Sequence, residues 1–301
     1  MRVMVAGDTG WQKWKWVLFF IVPSLAGLLI FILIPILTSV WLSFQDWNLL
    51  SPPEFIGLAN FQELVNDASF WQALQYTLGY ILLYLPAAFV LGLGLALLLN
   101  QKLRGVVIVR TATFLPVVAS WVVVSLIWKW IFNPQYGLIN YGLSLLGISG
   151  PAWLFDANTA LYALVITSVW KDLGYVAVLY LGGLQSISPI YYEASQIDGA
   201  SAWQRLWFIT LPLLTPTMFF IVIILLINSF QVFDQFWLMP MRDSAADRQV
   251  EAIVTAVVKN AFSYNRMGYA SAMSMVLFAL IFIVTFVQLR LQNRWVHYES
   301  E

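Results

Sequence analysis

The sequence contains no cysteine and only one histidine, and both facts limit the chemistry that the chain can perform. Without cysteine there is no disulfide, no thiolate nucleophile and no sulfur ligand for a metal. His297 stands in a polar tail, WVHYESE, which is typical of a solvated residue rather than a catalytic base. No lysine is followed by Ser or Thr, so a phosphate-binding loop ending in Gly-Lys-Ser/Thr is absent. We therefore predict no catalytic residue, no metal site and no cofactor bound by this chain.

Charged residues are also scarce. They make up 10% of the 301 residues, against 61% that are hydrophobic, and the mean hydropathy is +0.79. A soluble domain carries about 25% charged residues. The formal net charge is zero and no basic patch stands out, so nothing supports nucleic-acid binding. The composition indicates a chain that is surrounded by membrane lipid.

Six apolar runs are long enough to cross a bilayer as helices, which takes about 20 residues each. They cover residues 16–44, 71–99, 105–132, 160–184, 206–238 and 269–291. A spanning β-barrel would instead show segments of about 10 residues with alternating polarity, and these are absent. The sequence therefore predicts an all-α integral membrane protein with six transmembrane helices, forming a single domain over residues 1–301.

The lysines and arginines between these runs predict the orientation, because cytoplasmic loops are enriched in both. With the N-terminus inside, the inner segments hold Arg2, Lys13, Lys15, Lys102, Arg104, Arg110, Arg205, Arg290 and Arg294. The first two outer loops hold none. The third, residues 240–268, breaks the pattern with Arg242, Arg248, Lys259 and Arg266, although acidic residues accompany them. We expect both termini to be cytoplasmic.

A polar segment, residues 188–207, interrupts the oily sequence between the fourth and fifth runs, on the cytoplasmic side of this topology. Ser188 followed by Pro189 is a typical helix start. Gly199 is expected to end that short helix in the left-handed conformation, and a second short helix can begin near Ser201. The sequence predicts a helix-turn-helix elbow lying across the membrane face.

The elbow has the composition of a docking surface. Apolar anchors, small residues that allow close approach and a carboxylate for a basic partner follow one another: Tyr191, Tyr192, Glu193, Ala194, Ser195, Ile197, Gly199 and Ala200. An amphipathic loop that only covers the bilayer surface would show a similar pattern. Composition alone leaves both interpretations open.

One motif in the elbow resembles a known signature. Glu193, Ala194 and Ser195 are followed after three residues by Gly199 and after nine more by Ile209, Leu211 and Pro212. This spacing resembles the EAA motif, EAA-x3-G-x9-I-x-LP, of permease subunits in binding-protein-dependent ABC importers. Asp198 matches the common form IDG, and Ser195 in place of the third small residue is a departure that keeps the size.

The resemblance covers nearly the whole chain and is strongest to the permeases of maltose and glycerol-phosphate importers. Similar stretches include FIGLANF at 55–61, RTATFLPVVAS at 110–120, FQVFDQFWLM at 230–239 and GYASAMSMVLF at 268–278. Many relatives carry a Gly-Gly-Pro turn after the fifth helix, whereas Pro240 to Asp243 stand here. That departure bears on the binding-protein contact or the type of cargo.

The resemblance implies a function and partners. It implies that the elbow is a coupling helix, docked through Glu193 onto an ATP-binding subunit, and that Gly199 sets its turn. The chain would form half of a pathway in a prokaryotic plasma (inner) membrane. The implied partners are a second homologous permease, two copies of an ABC ATPase that use ATP and Mg²⁺, an extracytoplasmic substrate-binding protein and a sugar-like solute.

Polar residues within the apolar runs are candidates for the substrate path, because such groups are costly at bilayer depth. They are Lys171, Asp172 and Tyr175 in the fourth run and Asn228, Gln231, Asp234 and Gln235 in the fifth. Residues 228, 231 and 235 share a face on a continuous helix, and Asp234 lies one residue off it. Carboxylates and amides beside aromatic rings suit a sugar. Alternatively, Lys171 and Asp234, or Lys171 and Asp172, neutralise charges inside the bundle or bond to neighbouring helices.

Other functions remain open at this point. A permease of the same type could carry a polyol, a glycerol-phosphate compound or a peptide, since the elbow contacts the ATPase and not the cargo. A secondary transporter would lack the elbow and would usually show inverted repeats, which we do not find. A membrane-embedded enzyme would need a cluster of ionisable groups that one histidine hardly supplies.

Overall fold

The structure, a computed structural model, describes residues 10–101 and 105–295. His297 and the cations Arg2, Lys102 and Arg104 lie outside the described residues. The described chain is mainly helical and divides into two compact units. One consists of residues 10–66 and 259–275, and the other of residues 67–258 and 276–295.

The secondary structure of the described residues is as follows. The first helices and strands are α1 Gly10–Leu28, α2 Ile34–Leu42, β1 Gln45–Asp46, β2 Glu54–Phe55 and α3 Ala59–Asn66. The middle helices are α4 Ala68–Leu99, α5 Val106–Val118, α6 Trp121–Ile131, α7 Leu138–Leu145 and α8 Ala157–Ser186. The remaining helices are α9 Pro189–Ile197, α10 Ala202–Arg205, α11 Leu211–Phe230, α12 Asp234–Leu238, α13 Ala245–Gln249, α14 Ile253–Val258 and α15 Met267–Trp295. Single turns of other helix types are Leu29–Leu33, Trp153–Phe155, Leu206–Thr210 and Lys259–Ser263.

In the first unit, a short antiparallel pair of strands is fastened by side chains from the helices. The strands pair Gln45 with Phe55 and Asp46 with Glu54. The buried Asn60 of α3 donates to the carbonyl oxygens of Ser43 and Gln45, at 3.0 and 2.9 Å. These two bonds satisfy backbone carbonyls that the two-residue strand leaves free, so they fix α3 beside the sheet.

In the second unit, α8 forms the centre of the helix packing and contacts α4, α5 and α11. Its residues Leu164, Val176 and Tyr180 are fully buried. Gly92 of α4 faces Val176 so closely that an added Cβ would collide with the valine side chain. Small residues at such points let helix backbones approach closely. This matters in lipid, where the hydrophobic effect does not drive helices together and close packing contributes instead.

Side chains at the starts of the long helices explain where those helices begin. Asp67 accepts a hydrogen bond from the backbone N–H of Ser69 at 2.8 Å and starts α4. Asp156 accepts from the N–H of Asn158 at 3.0 Å and starts α8. Each cap satisfies a donor that the first turn of a helix leaves unpaired. The predicted starts at residues 71 and 160 are therefore each three residues late, because apolar runs alone ignore the capping residue.

Five helical segments of the described chain are long and apolar enough to cross a membrane, and a sixth crossing is possible if one bent pair counts as a span. This confirms the predicted all-α membrane fold. The prediction of one continuous helix over 105–132 was wrong, because α5 and α6 meet there at a bend of 102°. Ala119 and Ser120 have extended backbone, and the Ser120 hydroxyl accepts from the N–H of Val123 at 3.4 Å to begin α6.

Candidate functional site

The elbow between α8 and α11 consists of α9, a tight turn and α10. α9 ends at Ile197, and Gly199 follows with a φ of +75°, as the sequence predicted for this glycine. The N–H of Ala200 donates to the Ser195 carbonyl oxygen at 2.9 Å, which pairs an otherwise free carbonyl of the helix end. Ser201 precedes α10 as its capping residue, and the side chains of Ser201 and Gln204 each accept a hydrogen bond from the other's backbone N–H. The segment therefore has a rigid shape.

The elbow exposes one part of the EAA motif and buries another. Glu193, Ala194, Asp198 and Gly199 are exposed. Ser195 is buried, and its hydroxyl donates to the Tyr192 carbonyl oxygen at 2.8 Å. The small third residue of the motif therefore packs inward, which explains why serine is accepted there. The outward surface is formed by the other residues.

Large apolar side chains are exposed along the segment that carries Glu193. Ile197 is 88% exposed, which is unusual for an isoleucine. The others with this property are Ile190, Tyr191, Trp203, Trp207 and Phe208. An exposed segment that combines these apolar side chains with the carboxylates of Glu193 and Asp198 has the composition of a protein-docking site.

The second half of the motif lies in the following helix. Ile209 belongs to the π-helical turn Leu206–Thr210, and Leu211 and Pro212 form the start of α11. All three are half-buried. The Tyr192 and Thr210 hydroxyls are 3.1 Å apart and hydrogen-bonded, so the elbow is joined directly to the base of α11. This hydrogen bond is a direct link between α9 and the base of α11.

A polar cavity of about 240 Å³ lies in the second unit, between α4, α6, α8, α11 and α12. It is lined by Tyr80, Tyr84, Trp121, Asp172, Asn228, Ser229, Gln231, Val232, Phe233, Asp234 and Gln235. Five of the seven predicted substrate-path residues are in this set. The structure therefore brings together side chains from both predicted runs, although their role stays a prediction.

Hydrogen bonds hold several of the lining side chains in place. Asp172 accepts a hydrogen bond of 2.7 Å from the Tyr84 hydroxyl. The rings of Tyr84 and Tyr80 are stacked, with centroids 5.1 Å apart. Gln235 donates to the Tyr80 hydroxyl at 3.0 Å and to the Ser168 hydroxyl at 3.2 Å. One wall of the cavity is thus a connected polar network, whose members rigidify one another.

The predicted helical face of residues 228, 231 and 235 was wrong. α11 ends at Phe230, and Gln231 to Phe233 are not helical, so the spacing of a continuous helix does not apply. On a continuous helix, Asp234 would lie beside the face formed by the other polar residues, but the break changes its direction. It turns this carboxylate toward the cavity together with its neighbour Gln235.

Lys171 and Tyr175 do not belong to the residues that line the cavity. Lys171 is 5% exposed, and its ammonium donates to the carbonyl oxygens of Pro116 and Val117 at 3.2 and 3.1 Å. An ion pair with Asp172 or Asp234 was one interpretation of this lysine. Its hydrogen bonds in the structure are instead to backbone.

Four aromatic residues of the lining were not among the predicted site residues: Tyr80, Tyr84, Trp121 and Phe233. The spacing of Tyr76, Tyr80 and Tyr84 places three phenols on one face of α4, and this signal could have found two of them. Trp121 could not be found this way, because only the bend between α5 and α6 brings it to the cavity. No group of three or more metal-binding side chains occurs within residues 10–101 and 105–295.

Comparison with known proteins gives consistent findings. Residues 88–297 match the family "Binding-protein-dependent transport system inner membrane component". The chain is 35% identical to the probable ABC transporter permease protein YesP of Bacillus subtilis, over 94% of this chain and 92% of that one. It is 31% identical to the trehalose/maltose transport system permease protein MalF of Thermococcus litoralis, over 90% and 91%. A chain of a bacterial ABC transporter that imports the acidic polysaccharide alginate superposes with a TM-score of 0.82 at 25% identity, covering 94% of this chain and 96% of that one.

Proposed function

Because this chain belongs to the inner membrane components of binding-protein-dependent transport systems, we propose that it is the permease subunit of an ATP-driven importer for a sugar or sugar-like solute. The observation that carries this cargo is the cavity, in which amides and carboxylates stand beside tyrosine and tryptophan rings. Sugar hydroxyls need paired hydrogen bonds, and the CH faces of a sugar pack on aromatic rings. The relative that transports trehalose and maltose supports the same class of cargo.

One chain supplies half of the pathway. The cavity volume of about 240 Å³ is below the roughly 300–1,000 Å³ of a complete small-molecule site. We assign the remainder to a second homologous permease. The complete importer also contains two copies of an ABC ATPase, which bind ATP and Mg²⁺, and an extracytoplasmic substrate-binding protein. The chain itself is a transport subunit in the inner membrane and not an enzyme, and we assign both of its termini to the cytoplasm from the distribution of lysine and arginine.

The elbow is the contact with the ATPase. Its apolar side chains would fill a cleft of that subunit while Glu193 pairs with a basic residue there. The hydrogen bond between the Tyr192 and Thr210 hydroxyls supports transmission to α11, at whose other end the cavity residues Asn228 and Ser229 lie. ATP-driven movement of the elbow would thereby change the cavity.

Substitution of Gly199 by valine is expected to uncouple ATP hydrolysis from transport. A β-branched residue resists the positive φ of this turn, at a cost of about 1–2 kcal/mol. A Cβ at this position meets nothing within 4 Å, so the effect is conformational and not steric. We expect uptake in vesicles to fall at least about fivefold while ATPase activity persists.

The control for this prediction is Gly199→Asn, since asparagine tolerates the left-handed conformation. It should retain most of the uptake. Equal uptake by the valine variant and the natural protein would contradict the assigned role of the turn.

The charge of the cavity favours an uncharged sugar. Asp172 and Asp234 line it, and no lysine or arginine belongs to its lining residues. Lys171, the nearest cation in sequence, is turned toward backbone carbonyls. An acidic sugar in this half of the site would therefore face two carboxylates without a compensating cation. The alginate importer, by contrast, takes an acidic polysaccharide.

The cargo can be identified directly. The substrate-binding protein of this importer is purified from its native cells, and the small molecules released on denaturation are analysed by mass spectrometry. We expect a hexose-containing compound without carboxylate, sulfonate or phosphate. A polyol, a glycerol-phosphate compound or a peptide would overturn the sugar assignment, whereas an acidic sugar would overturn only the assignment of charge.

A further inference from the structure

The bend between α5 and α6 needs a partner for its backbone. In a continuous helix the carbonyl oxygen of Val117 would accept from the N–H of Trp121, but the 102° bend separates the two helices. Carbonyl groups without partners are costly at membrane depth, where no bulk water replaces the lost bond. A bend of this size within an apolar segment therefore persists only if another group supplies donors.

Lys171 supplies donors from α8, in addition to the Ala119 N–H, which donates to the Pro116 carbonyl oxygen at 3.2 Å. Its ammonium donates to the Pro116 and Val117 carbonyl oxygens at the end of α5, and it lies 5.2 Å from the centroid of the Trp121 ring at the start of α6. The lysine is itself tolerable at this depth because two carbonyls and an aromatic face compensate its charge. The cation and the bend thus stabilise each other.

The packing next to Lys171 brings the two helices close enough for this contact. Gly174 lies nearly one turn further along α8, and an added Cβ there would collide with the backbone of Thr113 and Phe114 in α5. α5 therefore rests directly on α8. The end of α5 is thereby held within reach of a lysine side chain.

The two neighbours in the Lys171–Asp172 pair serve different sides of α8. Asp172 lines the polar cavity, whereas Lys171 binds the bend. Trp121 connects them, because its ring both contacts the Lys171 ammonium and forms part of the cavity wall. We propose that Lys171 is a positioning residue that holds the α5–α6 bend and so sets Trp121 in the wall of the substrate cavity. The consequence for cargo rests on the proposed transport function, but the effect on the bend does not.

A distance measurement tests the bend itself. The sequence has no cysteine, so cysteines placed at Val107 and Ile127 are the only thiols of this chain and can be spin-labelled before the importer is assembled; both positions are exposed in the structure. The backbone positions of the two residues would be about 30 Å apart in a continuous helix and about 20 Å apart across the bend. In the assembled importer we expect a narrow, short distance distribution with Lys171, and a broadened or longer one in Lys171→Met.

Two variants make this comparison specific. Lys171→Arg keeps the donors and the charge, and it should restore the short distance. Lys129→Met removes the cation of α6, which the hydrogen bonds at the bend do not involve, and it should leave the distance unchanged. If the importer does not assemble with Lys171→Met, the distance is measured in Lys171→Gln instead. This variant removes the charge and keeps a donor, and it should broaden the distribution. An unchanged distance distribution in the variant that is measured, Lys171→Met or Lys171→Gln, would overturn the proposal.

Transport kinetics test the effect on Trp121. With the sugar identified from the binding protein as the probe, Lys171→Met should raise the KM for uptake about tenfold and leave kcat within about twofold. Trp121→Ala should do the same, and the double variant should be no worse than either single variant, since both changes act on one wall. Additive losses, or a fall in kcat alone, would overturn the positioning role. Failure of the natural protein to take up any sugar would instead contradict the transport function and leave the distance result standing.

Discussion

Replacing Glu193 by lysine is expected to release the ATPase subunits from the importer. Glu193 is exposed on α9, in a segment that also exposes large apolar side chains such as Ile197. A carboxylate on such a surface is partly desolvated when a partner covers it. A lysine in its place would face the basic residue of the partner, and two like charges in contact cost several kcal/mol. We expect the ATPase recovered with the tagged permease in mild detergent to fall at least about tenfold.

The matched control is Asp46→Lys, which makes the same change of charge at an exposed position in β1. It should retain the ATPase at the natural level. Glu193→Gln, which keeps a hydrogen-bond acceptor, should lie between the two. A Glu193→Lys variant that retains its ATPase would mean that the elbow only covers the bilayer surface, which is the alternative that composition left open.

Replacing Asp172 by alanine is expected to weaken cargo transport strongly. Asp172 is the carboxylate of the cavity that is held in place, through the hydrogen bond from Tyr84. A prepositioned carboxylate binds a sugar hydroxyl by a charge-assisted hydrogen bond, which contributes about 1.5–3 kcal/mol. Uptake at low cargo concentration in reconstituted vesicles should therefore fall roughly 10- to 100-fold.

Two further variants separate cargo binding from the stability of the network. Tyr84→Phe removes the hydroxyl that holds Asp172 but leaves the carboxylate, so it should cost clearly less than Asp172→Ala. Asp234→Ala tests the second carboxylate, which is exposed and has greater freedom, and a smaller loss is expected. Equal losses for Asp172→Ala and Tyr84→Phe would indicate that the network, and not a contact with cargo, is what transport requires. Normal transport by Asp172→Ala would remove this residue from the site.

The local features of the elbow could be predicted from sequence because they depend on neighbouring residues. Ser188 and Pro189 start a helix, and Gly199 adopts a positive φ, whatever packs against them. The outward or inward direction of each motif residue could not be predicted in this way. Ser195 was grouped with the exposed small residues, and it is buried because α9 lies against the base of α11.

The cavity shows the limit of reading along one helix. The polar residues of both runs could be found because polar groups stand out at bilayer depth. Their arrangement could not be predicted, because it depends on the end of α11 at Phe230, and the apolar run continues past that residue without a sign of the break. The tyrosines of α4 face the same cavity although they are about 90 residues away from Asp172 in sequence.

The sequence by itself determined the solvent, the helical class, the elbow and the resemblance to a permease family, because each follows from composition or from residues within about one helical turn or a fixed spacing. Only the tertiary structure decided what the buried charges do. Lys171 and Asp172 are adjacent in sequence, yet successive residues on a helix point about 100° apart. One side chain therefore binds the bend between α5 and α6 and the other lines the cavity, according to which helices pack on each side of α8.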